Sequence, residues 1–552
     1  MISSQEQIKD LILNFEFVKL EKLFKDQIEA RVGDPVPNLG ILSMIRAFIT
    51  KSELDFNLAI EELEDAQKKS DLNFNDLTLK LYPAADLFTL KGLQLSDDPR
   101  FISDPQDNSA FVHVYIKRLM AELSKSECVL FEIFLKCIFT GEHSNILLSL
   151  LSETELTAFR GAFMTIYHSI ERFKQLPTDH FMVTAEFSEY RDGLFLAWGL
   201  CSLLVLLLPS PLAVILGTSE FQLSMVSQCL EVIEIAGRGK SLHAILANLI
   251  LVLYSCELKE DANSVKKYLD ALGSPKSAMS QYFQSKLMLL QGNTFGSIEI
   301  LTKIRISPMM VQSPVYWQMI QCFAEGQRWP EAIQYIKALR ESGSAFPSKI
   351  FYLYLEASFM QASTGRAFGP LSIEVQSLLK KVLEASRAKH KAPRPFLDRL
   401  AIARSRNVIE RHEHFYLPQF EILLLWDRLK MIDHGDFVVK QVRKSLESSG
   451  ELTFEQQTLG WLILAVLSKS PESSIKLINN HILPREKALP PASFTTIRAK
   501  CELGHCLLLQ NGNGDEIEKL LKEIEMLCFD KNGFPGQGTI LSHLFKLKNF
   551  TK

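Results

Sequence analysis

Three short stretches of the chain carry residue types that can do chemistry. Gly237-Arg238-Gly239-Lys240-Ser241 has the ending of a phosphate-binding loop. In such a loop backbone N–H groups curl round the phosphates and a lysine reaches them. The loop needs another glycine five residues before the second, and Glu234 stands there instead. Its carboxylate would repel phosphate, and the preceding segment (VSQCLEVIEIA) is helix-like and not a strand. The stretch reads as a glycine-rich turn between two helices. His412-Glu413-His414 sets two histidines two apart. On a helix they leave on different faces, whereas the zinc-protease pattern sets them four apart with a third ligand. They read as surface residues at a helix end. Cys501 with His505-Cys506 has no fourth partner at a familiar zinc spacing, and packing is the better account. There is no G-x-S-x-G, no dinucleotide fingerprint and no calcium loop. The sequence therefore assigns no catalytic, cofactor-binding or metal-ligating residue. It implies no cofactor and points to a non-enzyme.

The elements that would have to hold any site are helices. Of 552 residues, 47% are hydrophobic and 23% charged, as in a globular protein with a large core. Glycine and proline together make about 9% of the chain, below the roughly 12% average, and few turn-formers in a long chain favour long helices. The net charge is −3, which argues against a chain built to coat nucleic acid. Nine scattered cysteines suit a reducing compartment. Glu6, Lys9 and Asp10 interrupt any apolar leader near the start, so no signal peptide is expected. The expected location is cytoplasmic, with the nucleus as the alternative.

Small residues recur at helical-hairpin spacing. Ala47, Ala59 and Ala66 are separated by 12 and then 7 residues, as where two helices of a tetratricopeptide hairpin cross closely. The step of 12 returns in Ser285/Ser297, Ile320/Ala332, Leu462/Ser474 and Gly504/Glu516, each across a turn. Ser297 to Ala332 is 35 residues, near the 34-residue period of this repeat class. The fold class is all-α: degenerate tetratricopeptide-like hairpins forming an α-solenoid. Loops are expected at 95–109, 391–395 and 489–492. They suggest an N-terminal hairpin region over 1–94, a central region with a long apolar core helix over 110–275, and the repeat array over 276–545.

Two stretches stand out physically. Gly193 to Ser219 contains no charge, but Pro209 and Pro211 limit its first helix to Leu194–Leu208. That is roughly 22 Å, short of the roughly 30 Å of a bilayer core, so a buried core helix is expected. Lys380 to Arg411 carries ten Lys/Arg against three acids. It is either a solvated face or a surface for an acidic partner, anionic lipid or RNA. It lacks the aromatic platform that single-stranded nucleic acid would use.

Taken together these blocks resemble the tetratricopeptide repeat protein 39 family, which includes the fungal inclusion body clearance proteins. The resemblance spans roughly Leu39 to Phe545 and is carried by four blocks. These are Gly193–Phe221, Trp329-Pro330-Glu331-Ala332 with Tyr352–Ala357, Pro418-Gln419-Phe420-Glu421 with Trp426, and Glu502-Leu503-Gly504-His505-Cys506. The C-type branch is nearest. Asp427 stands where relatives have asparagine and Leu424 where many have tyrosine. The first hairpin has Ile49-Thr50-Lys51 in place of the family's threonine–phenylalanine–glutamate step, and the final helix lacks the expected arginines around Ser542–Lys546. The chain thus reads as a divergent member.

The resemblance implies a non-enzymatic scaffold or adaptor that binds proteins through a solenoid groove, with no nucleic acid. It associates relatives with lipid homeostasis, inclusion clearance and cilium assembly. The family label also mentions the mitochondrial outer membrane, so a peripheral or anchored membrane protein is the alternative. No groove residue can be named from the sequence.

Overall fold

The computed structural model describes residues 53–81, 109–139, 153–175, 185–207, 226–304, 312–341, 348–365, 370–387, 396–447, 452–489, 493–510 and 514–528, with single positions at 11–14, 19, 22, 43, 46, 543 and 547. Among these the regular structure is helical throughout. Two compact units divide the chain, the division falling within one helix near Phe283/Gln284.

The first unit contains α1 (Glu53–Leu81), α2 (Ser109–Phe139), α3 (Glu153–Gln175), α4 (Ala185–Leu207), α5 (Val226–Gly237), α6 (Leu242–Tyr254) and α7 (Ala262–Leu272). α8 (Ala278–Leu290) straddles the division. α4 is the centre of this unit and packs against α2, α3, α5 and α6. Leu194, Leu196, Ala197, Leu200, Cys201 and Leu203 on it are all buried. It starts nine residues earlier than the apolar run alone implies, because Glu186, Glu189, Arg191 and Asp192 extend it. Residues 208–219 lie outside the described residues. No described helix is long and apolar enough to cross a membrane.

The second unit is a series of helical hairpins. It contains α9 (Thr294–Lys303), α10 (Gln312–Glu325), α11 (Trp329–Glu341), α12 (Lys349–Ala362), α13 (Ile373–Ser386), α14 (Phe396–Glu410) and α15 (Pro418–Leu425). It continues with α16 (Gly435–Glu447), α17 (Phe454–Val466), α18 (Pro471–Leu477), α19 (Phe494–Leu509) and α20 (Gly514–Cys528). α10 packs on α11, α12 on α13, α17 on α18 and α19 on α20.

Local chemistry sets the hairpin ends. Side-chain oxygens of Asn293, Ser348, Ser372 and Ser470 accept the orphan N–H groups of their helices. Thr453 and Gln456 form a reciprocal capping box. α10 and α15 end alike. Gln327 and Asp427 turn left-handed at φ 53° and 54°, and the next N–H donates five residues back, Arg328 to Phe323 O at 2.7 Å and Arg428 to Leu423 O at 2.8 Å. This closure satisfies the last carbonyls.

The small-residue spacing locates the crossings. Ala59, Ala66, Ser285, Ser297, Ala332 and Ser474 are all buried, and Ser285 Oγ accepts a bond from Gln318 Nε2 at 2.8 Å across α8 and α10. Ala47 and most of the expected loops lie outside the described residues. In the last hairpin the spacing slips by one: Glu516 is exposed and the next residue, Ile517, is buried. Aromatic rings bind neighbouring hairpins together. Trp317 of α10 lies 5.3 Å from Trp426, and Trp329 of α11 lies 5.1 Å from Phe359 of α12.

Candidate binding cleft and the polar interior

The glycine-rich turn packs against a carboxylate of its own chain. Asp192, on α4, is buried. Ser241 Oγ donates to its Oδ2 at 2.9 Å, and Arg191 Nη2 donates to its Oδ1 at 2.8 Å. A Cβ on Gly239 would come within 1.9 Å of Asp192 Oδ2, so only glycine fits there. Ser241 also caps α6, accepting the Ala244 N–H. The residues that resembled a nucleotide loop are a cap and a turn packed on an anion already present.

The same cluster contains a buried histidine. His243 Nε2 lies 3.3 Å from Glu127 Oε1 of α2, both side chains almost wholly enclosed. Burial alone would lower the imidazole pKa. The Glu127 carboxylate, backed by Glu189 and Asp192, overrides it and lifts His243 to about 9. A Cβ on Gly193 would meet the His243 ring at 3.3 Å, which explains the glycine that leads the apolar run.

His412 sits exposed with φ 56° just past α14, and the His414 carbonyl accepts a bond from Gln456 Nε2 at 2.8 Å. Among the described residues no group of three or more His, Cys, Asp and Glu side chains is arranged to hold a metal ion. The seven described cysteines are all buried without a disulfide, and burial pushes the Cys501 thiol up to about 12. Cys137 and Cys528 lie outside the described side chains.

The basic segment does not form one uniform face. Lys389, Lys391 and Arg394 lie outside the described residues. Arg404 turns inward, donating to Glu421 at 2.6 Å and Glu455 at 2.8 Å. Burial opposes its charge, but those two carboxylates outweigh it and raise the guanidinium pKa. Arg406 lies 3.5 Å from Glu410. Lys380, Lys381, Arg387 and Arg411 remain exposed.

Arg404 belongs to a wider pattern in the second unit. The first helices of its hairpins carry buried carboxylates, each met by a basic side chain. Glu325 on α10 faces Arg428 at 3.7 Å. Glu356 on α12 meets Arg340 and Lys337 of α11. Glu421 on α15 meets Arg404 of α14, and Glu502 on α19 meets Lys430 at 2.8 Å and Arg498 at 3.2 Å. Every residue of α15, and all but two of α12, is buried. Among the described residues, α12 and α15 are therefore interior helices of this unit.

An open cleft of about 440 Å³ does exist, at the hairpin tips of the last repeats. Ile432, Gly435, Leu467 and Leu509 supply apolar wall, and Leu509 is 76% exposed. Lys430 with Glu502, and Lys469 with Asp436 at 3.0 Å, place paired charges around it. This is the size of a small-ligand or peptide-anchor site. Sequence reasoning did not find it, because its walls come from three hairpins with no common motif. The one sequence signal was Leu509, the last of three leucines that close its helix just before the polar turn at Gln510.

No curated protein gives a significant match to this sequence. The family model described as Iml2/Tetratricopeptide repeat protein 39 matches residues 9–470, most of the chain and both units. Three of the four blocks that carried the resemblance lie within that span, with structural roles such as Trp329 against Phe359, Glu421 against Arg404 and Trp426 against Trp317; Glu502–Cys506 lies beyond it. On that match, this divergent helical-repeat chain is a member of the Iml2/Tetratricopeptide repeat protein 39 family.

Proposed function

We propose that the protein is a non-enzymatic scaffold that holds a protein partner at the cleft beside Leu509. The carrying observation is that cleft: an apolar wall left open to solvent and rimmed by ion pairs, in a repeat unit whose helices α12 and α15 are buried. It suits a short peptide segment with one or two apolar anchor side chains. Lipid homeostasis, inclusion clearance and cilium assembly remain the processes in which the family resemblance would place such a scaffold, and a cytoplasmic location goes with them. Affinity purification of the full chain from cells, compared with Leu509→Asp, tests the reading. Leu509 is exposed, so the variant keeps the parent melting temperature. At least one protein recovered near stoichiometry by the parent should be lost by the variant. An identical set of co-purifying proteins would remove the cleft from the function.

A further inference from the structure

We propose that Glu325 is a proton-dependent clamp: its neutral carboxyl lets the turn over 428–434 lie against the end of α10, and ionisation loosens that contact. The clamp stands on its own geometry. Its bearing on a partner rests on the cleft proposed above, to which Lys430 and Ile432 of that turn contribute.

α10 ends at Glu325 and grips the turn there. The Asp433 N–H donates to Glu325 O at 2.9 Å, and Gln327 Nε2 donates to Asp433 O. The Glu325 side chain is enclosed at the same place, only 1% exposed. Its hydrogen bonding sets it apart from the buried carboxylates of the later hairpins. Glu356 accepts from Arg340, Glu421 from Arg404 at 2.6 Å, and Glu502 from Arg498 at 3.2 Å. Neither Glu325 oxygen has a hydrogen-bond partner, and Arg428 Nε stands off at 3.7 Å.

An ionised carboxylate enclosed without hydrogen bonds is costly, and a neutral carboxyl in the same place much less so. Burial outweighs the attraction of Arg428 and, with some repulsion from Asp433, lifts the Glu325 pKa to about 7. The other charged groups of the packed elements leave this balance in place. Cys322, one turn back on α10, is held neutral by burial. Glu257 and Glu260 act on Arg428, and Glu257 is paired with Lys286 of α8. Arg328 pairs with Glu331 of α11, and Glu299 with Lys303 on α9. His434, beside Asp433, is exposed. Opening the contact returns Glu325 to water and to the ordinary value of 4.5. The clamped form therefore keeps its proton over a range in which the open form has lost it. The contribution of Glu325 is complete below pH 4.5 and is lost as pH rises through 7. Between these values the opening constant grows about tenfold per pH unit.

Hydrogen exchange on the full chain at pH 5.5 and 7.5, corrected to equal intrinsic rates, tests the clamp. Peptides covering 428–434 should lose about tenfold in protection at pH 7.5, while peptides from α13 stay unchanged. Glu325→Gln and Glu325→Met put neutral side chains of similar length in the same place, so protection in at least one of them should hold at both pH values. Both variants keep Asp433 and His434, and a loss of the parent's size persisting in them belongs to those residues and overturns the proposal. Equal protection in the parent at both pH values overturns it as well. So does a turn left open at both pH values in both variants, because a neutral side chain would then not be what holds it. The exchange needs no partner, so its outcome is separate from that of Leu509→Asp.

Discussion

The two units bury charge in opposite ways. In the first, three of the described buried ionic groups gather in one knot where α2, α4 and α6 meet: Glu127, Asp192 and His243, tied to the Ser241 cap, while Arg118 is buried apart from them over the Phe74 ring. Beyond Asp192 the rest of α4 carries no charge, and α6 carries none beside His243. In the second, the charges are spread out, with separate carboxylates on α10, α12, α15 and α19, each met by its own cation. Buried ion pairs contribute little net stability but penalise any arrangement that separates them. The first unit thus fixes one junction electrostatically and leaves its register to packing. The second fixes register hairpin by hairpin, which suits repeats whose small-residue spacing has decayed.

Breaking one rung should have the largest effect. Arg404→Met leaves Glu421 and Glu455 without their counter-charge and should cost about 3–5 kcal/mol. Trp317, Trp329, Trp426 and Trp461 all lie in the second unit against Trp198 in the first. Tryptophan fluorescence in urea therefore reads this loss directly. Adding Glu421→Met should restore part of it, and a single-variant cost under about 1 kcal/mol, the range of an exposed pair, would sink the register argument.

The matching lesion in the first unit is apolar. Leu196→Ala, at a fully buried site on α4, should cost about 2–5 kcal/mol through the cavity it leaves. Calorimetry should show a lower transition temperature while the second unit's fluorescence midpoint holds. A neutral result would mean that α4 is not packed as a core helix.

The smallest effect sharpens the comparison through pH. His243 has a folded pKa of about 9, above the 6.5 of a free imidazole. Its contribution to stability is therefore complete below pH 6.5 and is lost as pH rises through 9. Melting temperature should fall by several degrees between pH 7 and pH 10 in the parent, and by less in His243→Gln. Identical slopes would show that the knot does not carry this charge.

Much of the fold was legible in the sequence. A step of 12 between small residues marks a place where backbones must approach, and Ser297, Ala332 and Ser474 sit buried at such places. The last hairpin misled because Gly504 makes room for Leu547 and its spacing to Glu516 marks no crossing. The polar interior was not legible. Arg404 and Glu421 are 17 residues apart, Arg498 and Asp427 71, and no periodicity selects such pairs. Arg404 counted as surface charge in the basic segment, since burial is decided by the helices around it. Asp427, conspicuous only as a departure from asparagine, keeps the left-handed turn that either residue tolerates. It also adds a charge that Arg498 and His543 both use.

The enclosed cysteines give the molecule an internal record of its own openings. All seven described thiols are buried, and desolvation raises the pKa of Cys128, Cys201, Cys229, Cys322, Cys501 and Cys506. Alkylation needs a thiolate and access, and the folded chain supplies neither at these positions. A reagent added to the native protein consequently marks each sulfur at the rate at which its surroundings part. Cys128, Cys201 and Cys229 keep time for one unit, and Cys322, Cys501 and Cys506 for the other. The order of labelling along the chain would be a map of which hairpins breathe first.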